Sequence, residues 1–158
     1  MKALRKIVDR ITEFLACVIL AIMTILVTWQ VITRYFLKAP STVTEALAKY
    51  LFVWLVFVTA AYVIGKHEHM SLGFFVGKYP PKTRAVFGIV TEVIILIFVA
   101  IVLVYGGGYI ALNAMSQMDS ALPIPVGVIY LALPVGGVLS VFYAICNIVD
   151  AILHFKEL

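Results

Sequence analysis

The chain has 158 residues, 64% of them hydrophobic and 13% charged, with a formal net charge of +4 and a mean hydropathy of +1.12. Such values exclude an ordinary soluble domain. They also argue against nucleic acid as a partner, because the basic residues gather beside long apolar runs, as membrane topology requires, and not along one face.

An α-helix needs roughly 20 apolar residues to cross a hydrocarbon core about 30 Å thick. Four runs of this kind fill the sequence, so the expected fold is an all-α integral membrane protein with four transmembrane helices in a single membrane domain, 1–158. Lys2, Arg5, Lys6 and Arg10 precede the first run and imitate a secretory leader. The apolar stretch Phe14 to Ile32 is too long for a leader, and no small-x-small cleavage site follows it, so the segment is expected to stay as a span.

The first span is expected over 14–35, closing on the interfacial aromatics Trp29, Tyr35 and Phe36. The second is expected over 43–64. Thr42-x-x-Glu45 reads there as a capping box, and Glu45 and Lys49 form an i, i+4 pair in the favourable order. Trp54 lies mid-span, with Phe52 and Phe57 nearby, where a large ring is expected to pack on protein. Between the second and third spans, a mixed segment over 68–79 is too short to cross and is expected to lie in the membrane interface beside Lys78. Pro80-Pro81 then starts the third helix.

The third span, over 82–113, is longer than a perpendicular crossing needs, so tilt or an extension is expected. Gly106-Gly107-Gly108 permits a bend or a close helix contact. The fourth, over 126–155, contains Pro134 and Gly136-Gly137, tolerable where neighbours satisfy the freed backbone groups. Cys17 and Cys146 both fall inside spans without metal or redox spacing and are expected to act as small packing residues. Nine Lys and Arg residues flank one side of the spans and three, Arg34, Lys38 and Lys49, flank the other, so both termini are expected in the cytoplasm.

Among the acids, Glu92 stands out. It lies eight positions past Arg84, about 12 Å along a helix, which is membrane depth. A carboxylate there either serves an ion or proton path or pairs with a polar group on another helix or subunit, and pairing is the expectation. Asp9, Glu13, Glu68, Asp150 and Glu157 sit near span ends and Asp119 in the third connection, where water or cations reach them. His67 and His69 around Glu68 lack a third convergent ligand for zinc. Haem would need histidines within the spans, whereas His67, His69 and His154 are at span ends. No catalytic centre, metal or cofactor is expected, so the chain is not read as an enzyme.

Several blocks in this order resemble the small, DctQ-type membrane subunit of tripartite ATP-independent periplasmic (TRAP) transporters. They are Arg34-Tyr35 closing the first span, Thr44-Glu45 opening the second, Trp54 within it, His69-Met70, then Pro80-Pro81 with Arg84. Leu122-Pro123-Ile124-Pro125 and Tyr130-Leu131-Ala132-Leu133-Pro134-Val135-Gly136 complete the pattern. The chain departs at Gly73, where the family often has an acid, so no charge interaction is expected from that position.

The resemblance implies a scaffold subunit of an ion-driven, commonly sodium-driven, organic-acid transporter. Its partners would be membrane lipid, a large multi-span subunit carrying the substrate and ion sites, and a soluble periplasmic substrate-binding protein. Arg34, Tyr35, Glu45, Lys49, Trp54, His69, Glu92 and Pro134 are the structural or subunit-interface candidates. Asp119, Leu122, Pro123, Ile124 and Pro125 are the candidates for contact with the binding protein. The competing reading is an autonomous four-helix exporter acting as a homo-oligomer, but such a protein needs a central carboxylate in its first span, and none lies between Phe14 and Ile32.

Overall fold

The computed structural model describes residues 2–36, 38, 41–66 and 81–156. Helix α1 spans Lys2–Tyr35 and α2 spans Thr42–Gly65. Helix α3, Pro81–Phe98, runs on through a π-helical segment, Val99–Gly106, into α4, Gly107–Ala114. A short α5, Gly127–Tyr130, precedes α6, Ala132–Lys156. Four of these helical stretches, Leu4–Tyr35, Thr42–Gly65, Val86–Ala114 and Gly127–Leu153, are long and apolar enough to cross a membrane. The expected interfacial segment 68–79, with His67 and His69, lies outside the described residues.

One local expectation is corrected. Ser41, not Thr42, caps α2: its backbone is extended and its side chain accepts from the Thr44 amide. Glu45 does not fold back to complete a box, because its carboxylate is drawn forward to Lys49 Nζ at 3.0 Å. Pro134 lies within the fourth helical stretch, Gly127–Leu153. The helix breaks at Leu131 and restarts at Ala132, which puts Pro134 in a first turn, where an amide has no intrahelical partner to lose.

The helices pack in the lateral order α1, α2, α6, α3. Helix α1 packs mainly on α2, α2 on α6, and α6 on α3 and the π-helical segment, while α1 and α3 form the two edges. Adjacent glycines on α6 serve its two neighbours. A Cβ on Gly136 would lie 2.8 Å from Phe57 Cβ on α2, and one on Gly137 would lie 2.9 Å from Val104 Cγ2 in the π-helical segment. Small residues allow such close approach between membrane helices. The slab's interior is mainly apolar, with Val58, Ala61, Val99, Ala132 and Ala144 buried, and Ser140, Asn147 and Glu92 are buried polar residues within it.

The π-helical segment meets this interior through Val99, in a cluster with Ile64 and Tyr143. At its end the Gly107 amide reaches the Val102 carbonyl, five residues back, which is the π hydrogen-bond spacing. Of the two cysteines, Cys146 is buried and Cys17 is exposed on α1, so the packing role applies to Cys146 alone.

Candidate functional site

Polar side chains collect at the two ends of the slab. At one end, Glu45 in the first turn of α2 separates two cavities. A cavity of about 370 Å³ lies towards α1, lined by Gln30, Val31, Arg34, Tyr35, Ser41 and Glu45. The second, about 340 Å³, lies towards the connection after α4, where Glu45 and Lys49 face Tyr50 and Asp119. Arg34 and Glu45 therefore share a cavity, but the carboxylate's ion-pair partner is Lys49. Tyr35 is exposed at the rim.

Asp119 organises the adjacent connection. Its Oδ1 accepts from the Ala121 amide at 2.8 Å and the Leu122 amide at 3.1 Å, an Asx-type turn. Backbone bonds from Asp119 N to Ile124 O and from Val126 N to Gln117 O close the loop around Leu122, Pro123, Ile124 and Pro125. Tyr50 on α2 donates to Asp119 Oδ2 at 3.4 Å, which ties the loop to the helix that carries Glu45. The two backbone amides hold the Asp119 carboxyl below the usual aspartate range. Nearby, the Trp54 indole N–H donates to the Val128 carbonyl of α5 at 3.2 Å, so this half-buried ring is a cross-helix tie.

The other end holds a denser network. Arg5 pairs with Asp150 of α6 at 2.9 Å and donates to the Gly65 carbonyl that ends α2. Asp9 lies 3.6 Å from Lys66 Nζ, and the ammonium also sits 5.1 Å from the centre of the Tyr62 ring. Its hydrogen bond with Tyr62, then the Asp9 charge, push the Lys66 pKa up. Deeper in the slab, buried Asn147 donates to the Ile64 carbonyl at 2.9 Å and to Glu92 Oε1 at 3.2 Å. This links α2, α3 and α6 through one side chain. Among the described residues no group of three His, Cys, Asp or Glu could hold a metal ion.

The structure thus brings Arg34, Tyr35, Glu45, Lys49 and Asp119 to one end and places Glu92 near the opposite one. His69 lies outside the described residues. Sequence reasoning missed Arg5 and Asn147. The signal for Asn147 was available, since an amide within an apolar membrane run needs a partner on another helix.

Comparison with known proteins places this architecture. The family described as "Tripartite ATP-independent periplasmic transporters, DctQ component" matches residues 23–154. The chain belongs to the DctQ family. Two relatives agree with that assignment. The "Sialic acid TRAP transporter small permease protein SiaQ" of Vibrio cholerae is 33% identical over 142 residues, covering 90% of this chain and 82% of the relative. The "Putative TRAP transporter small permease protein" of Haemophilus influenzae is 30% identical over 155 residues, covering 96% and 94%. This DctQ chain is therefore a small permease subunit of a TRAP transporter, and its two polar ends, joined by an apolar slab, are features of that subunit.

Proposed function

We propose that this subunit is the non-enzymatic scaffold of a secondary active transporter in the bacterial inner membrane, bracing a large multi-span subunit that carries the substrate and ion sites. One observation carries this reading. Between the two polar ends the slab's interior is mainly apolar; of its buried polar residues, Ser140 bonds back to its own helix, while Asn147 and Glu92 tie helices together. Transport sites form where broken helices or charged groups line a cavity near the bilayer midplane, and the described residues of this chain do not assemble one.

The transport is driven by an ion gradient, with sodium the proposed ion, and the cargo is an organic acid delivered by a soluble periplasmic protein. The name of the Vibrio cholerae relative specifies sialic acid, an acid of this class. The distribution of Lys and Arg supports a topology with both termini in the cytoplasm. The Glu45 end then faces the periplasm, where Arg34, Glu45, Lys49 and the Asp119–Pro125 loop form the surface that meets the binding protein and the outer edge of the large subunit.

The test is affinity purification of the tagged chain in mild detergent from cells expressing its natural neighbours, with mass spectrometry of what co-purifies. A large multi-span protein in fixed stoichiometry is the expected result. A homo-oligomer with no such partner would overturn the reading.

A further inference from the structure

The ion pairs at the Arg5 end set the rotation of α1 about its own axis. Arg5 is held by Asp150 and the Gly65 carbonyl, and Asp9, one turn on, by Lys66. Each residue advances about 100° around a helix, so fixing positions 5 and 9 against the slab turns 6, 7, 10 and 11 outwards. A groove of about 360 Å³ lies there, lined among the described residues by Lys6, Ile7, Arg10 and Ile11. Ile7 and Ile11 are 57% and 61% exposed, and Phe14 continues the apolar stripe at 71%.

Charge distinguishes this groove from the rest of α1. Arg5, Asp9 and Lys66 are all paired, whereas Lys6 and Arg10, one turn apart and exposed, have no acidic partner among the described residues. Glu13 lies a turn deeper on the same side and pairs with neither. The groove is level with Gly65, the last residue of α2, and so with the headgroup zone. Two cations without an acidic partner among the described residues, beside an apolar stripe, match a lipid phosphate and its acyl chains, and juxtamembrane Lys and Arg are drawn to anionic headgroups.

We propose that Lys6, Arg10, Ile7 and Ile11 form a binding site for one anionic phospholipid, held on the free edge of the slab by the ties at Arg5 and Asp9. The two cations engage the phosphate, and the isoleucines with Phe14 carry the upper acyl chain. The site does not depend on the transport role proposed above.

The test offers the purified full-length chain, in mild detergent, equal amounts of phosphatidylglycerol and phosphatidylcholine and counts the retained lipids by native mass spectrometry. The expected preference for phosphatidylglycerol is about tenfold and shrinks as salt is raised. K6Q/R10Q abolishes it with helical circular dichroism intact, while K6R/R10K and the distant K38Q keep it. No preference in the unaltered chain would overturn the proposal even if a variant failed to fold. So would a preference that survives K6Q/R10Q, or one removed by millimolar inorganic phosphate, which marks a soluble anion as the ligand. Loss of a co-purifying protein from K6Q/R10Q with the lipid preference unchanged would assign the groove to a protein partner and overturn it too.

Discussion

The Asn147 amide nitrogen lies 3.2 Å from Glu92 Oε1 and 2.9 Å from the Ile64 carbonyl, so one fully buried side chain joins the two middle helices of the slab to an edge helix. Removing it takes one hydrogen-bond donor away from the Ile64 carbonyl and one from Glu92 Oε1. Asn147→Ala is expected to lower stability by about 1–2 kcal/mol, read as earlier unfolding when the purified chain is titrated with a denaturing detergent. An unchanged midpoint would show that the tie is not a structural one.

The same pair separates a structural from a transport role for Glu92. Glu92→Gln keeps the size and an acceptor oxygen for Asn147 but removes the ionisable group. Uptake by the assembled transporter is expected to persist within about twofold of the unaltered protein, as for a substitution outside the chemical step. Abolished uptake with normal assembly would make Glu92 part of an ion or proton path.

Glycine substitutions probe the lateral helix order directly. At Gly136 an added Cβ meets Phe57 Cβ at 2.8 Å and the Phe57 carbonyl oxygen at 2.9 Å, and that backbone cannot move aside. Gly136→Ala is expected to cost about 1–3 kcal/mol through overpacking. A Cβ on Gly108 has nothing within 4 Å, so Gly108→Ala is expected to be neutral or to stabilise by up to about 1 kcal/mol. Equal effects at the two sites would contradict the α2–α6 contact.

How far this arrangement can be read from sequence depends on the range of each interaction. The spans follow from apolar run length, and the Glu45–Lys49 pair from helix periodicity, because both are local. Arg5 and Asp150 are 145 residues apart, and nothing in either neighbourhood announces the other. The lateral order of the helices is equally hidden, since Gly136-Gly137 signals close packing without naming Phe57 or Val104 as neighbours. Ser41 displaced Thr42 as the cap because adjacent hydroxyls compete for the same amides, and geometry rather than residue type decides between them. The π-helical segment leaves no residue signature apart from a β-branched run that suits an ordinary helix in lipid as well.

The Asp119 loop carries a pH dependence with a definite sign. Its folded carboxyl lies below the ordinary aspartate value, chiefly through the Ala121 amide. It therefore contributes loop stability at pH values above the unfolded value, about 4. That contribution is lost as pH falls through the folded value. Hydrogen exchange at the Ala121 and Leu122 amides is expected to be slow at neutral pH, to accelerate relative to intrinsic rates below about pH 4, and to be fast at neutral pH in Asp119→Ala. Protection unaffected by Asp119→Ala would remove the carboxylate from the loop's architecture.

Glu45 stands between the two cavities at its end of the slab, so its removal leaves Arg34 and Lys49 without the neighbouring carboxylate. In the assembled transporter, Glu45→Ala and Arg34→Ala are each expected to reduce uptake roughly two- to tenfold at limiting binding protein, with greater sensitivity to salt. Measured uptake identical to the unaltered complex for both variants would exclude them from the subunit or docking surface.

The central claim is that this chain braces a transporter and does not itself transport. Reconstituting the purified 158-residue chain into liposomes, with and without the large subunit and binding protein, and imposing a sodium gradient tests it most directly. Organic-acid uptake is expected only in the complete system, and accumulation by vesicles holding this chain alone would contradict the account.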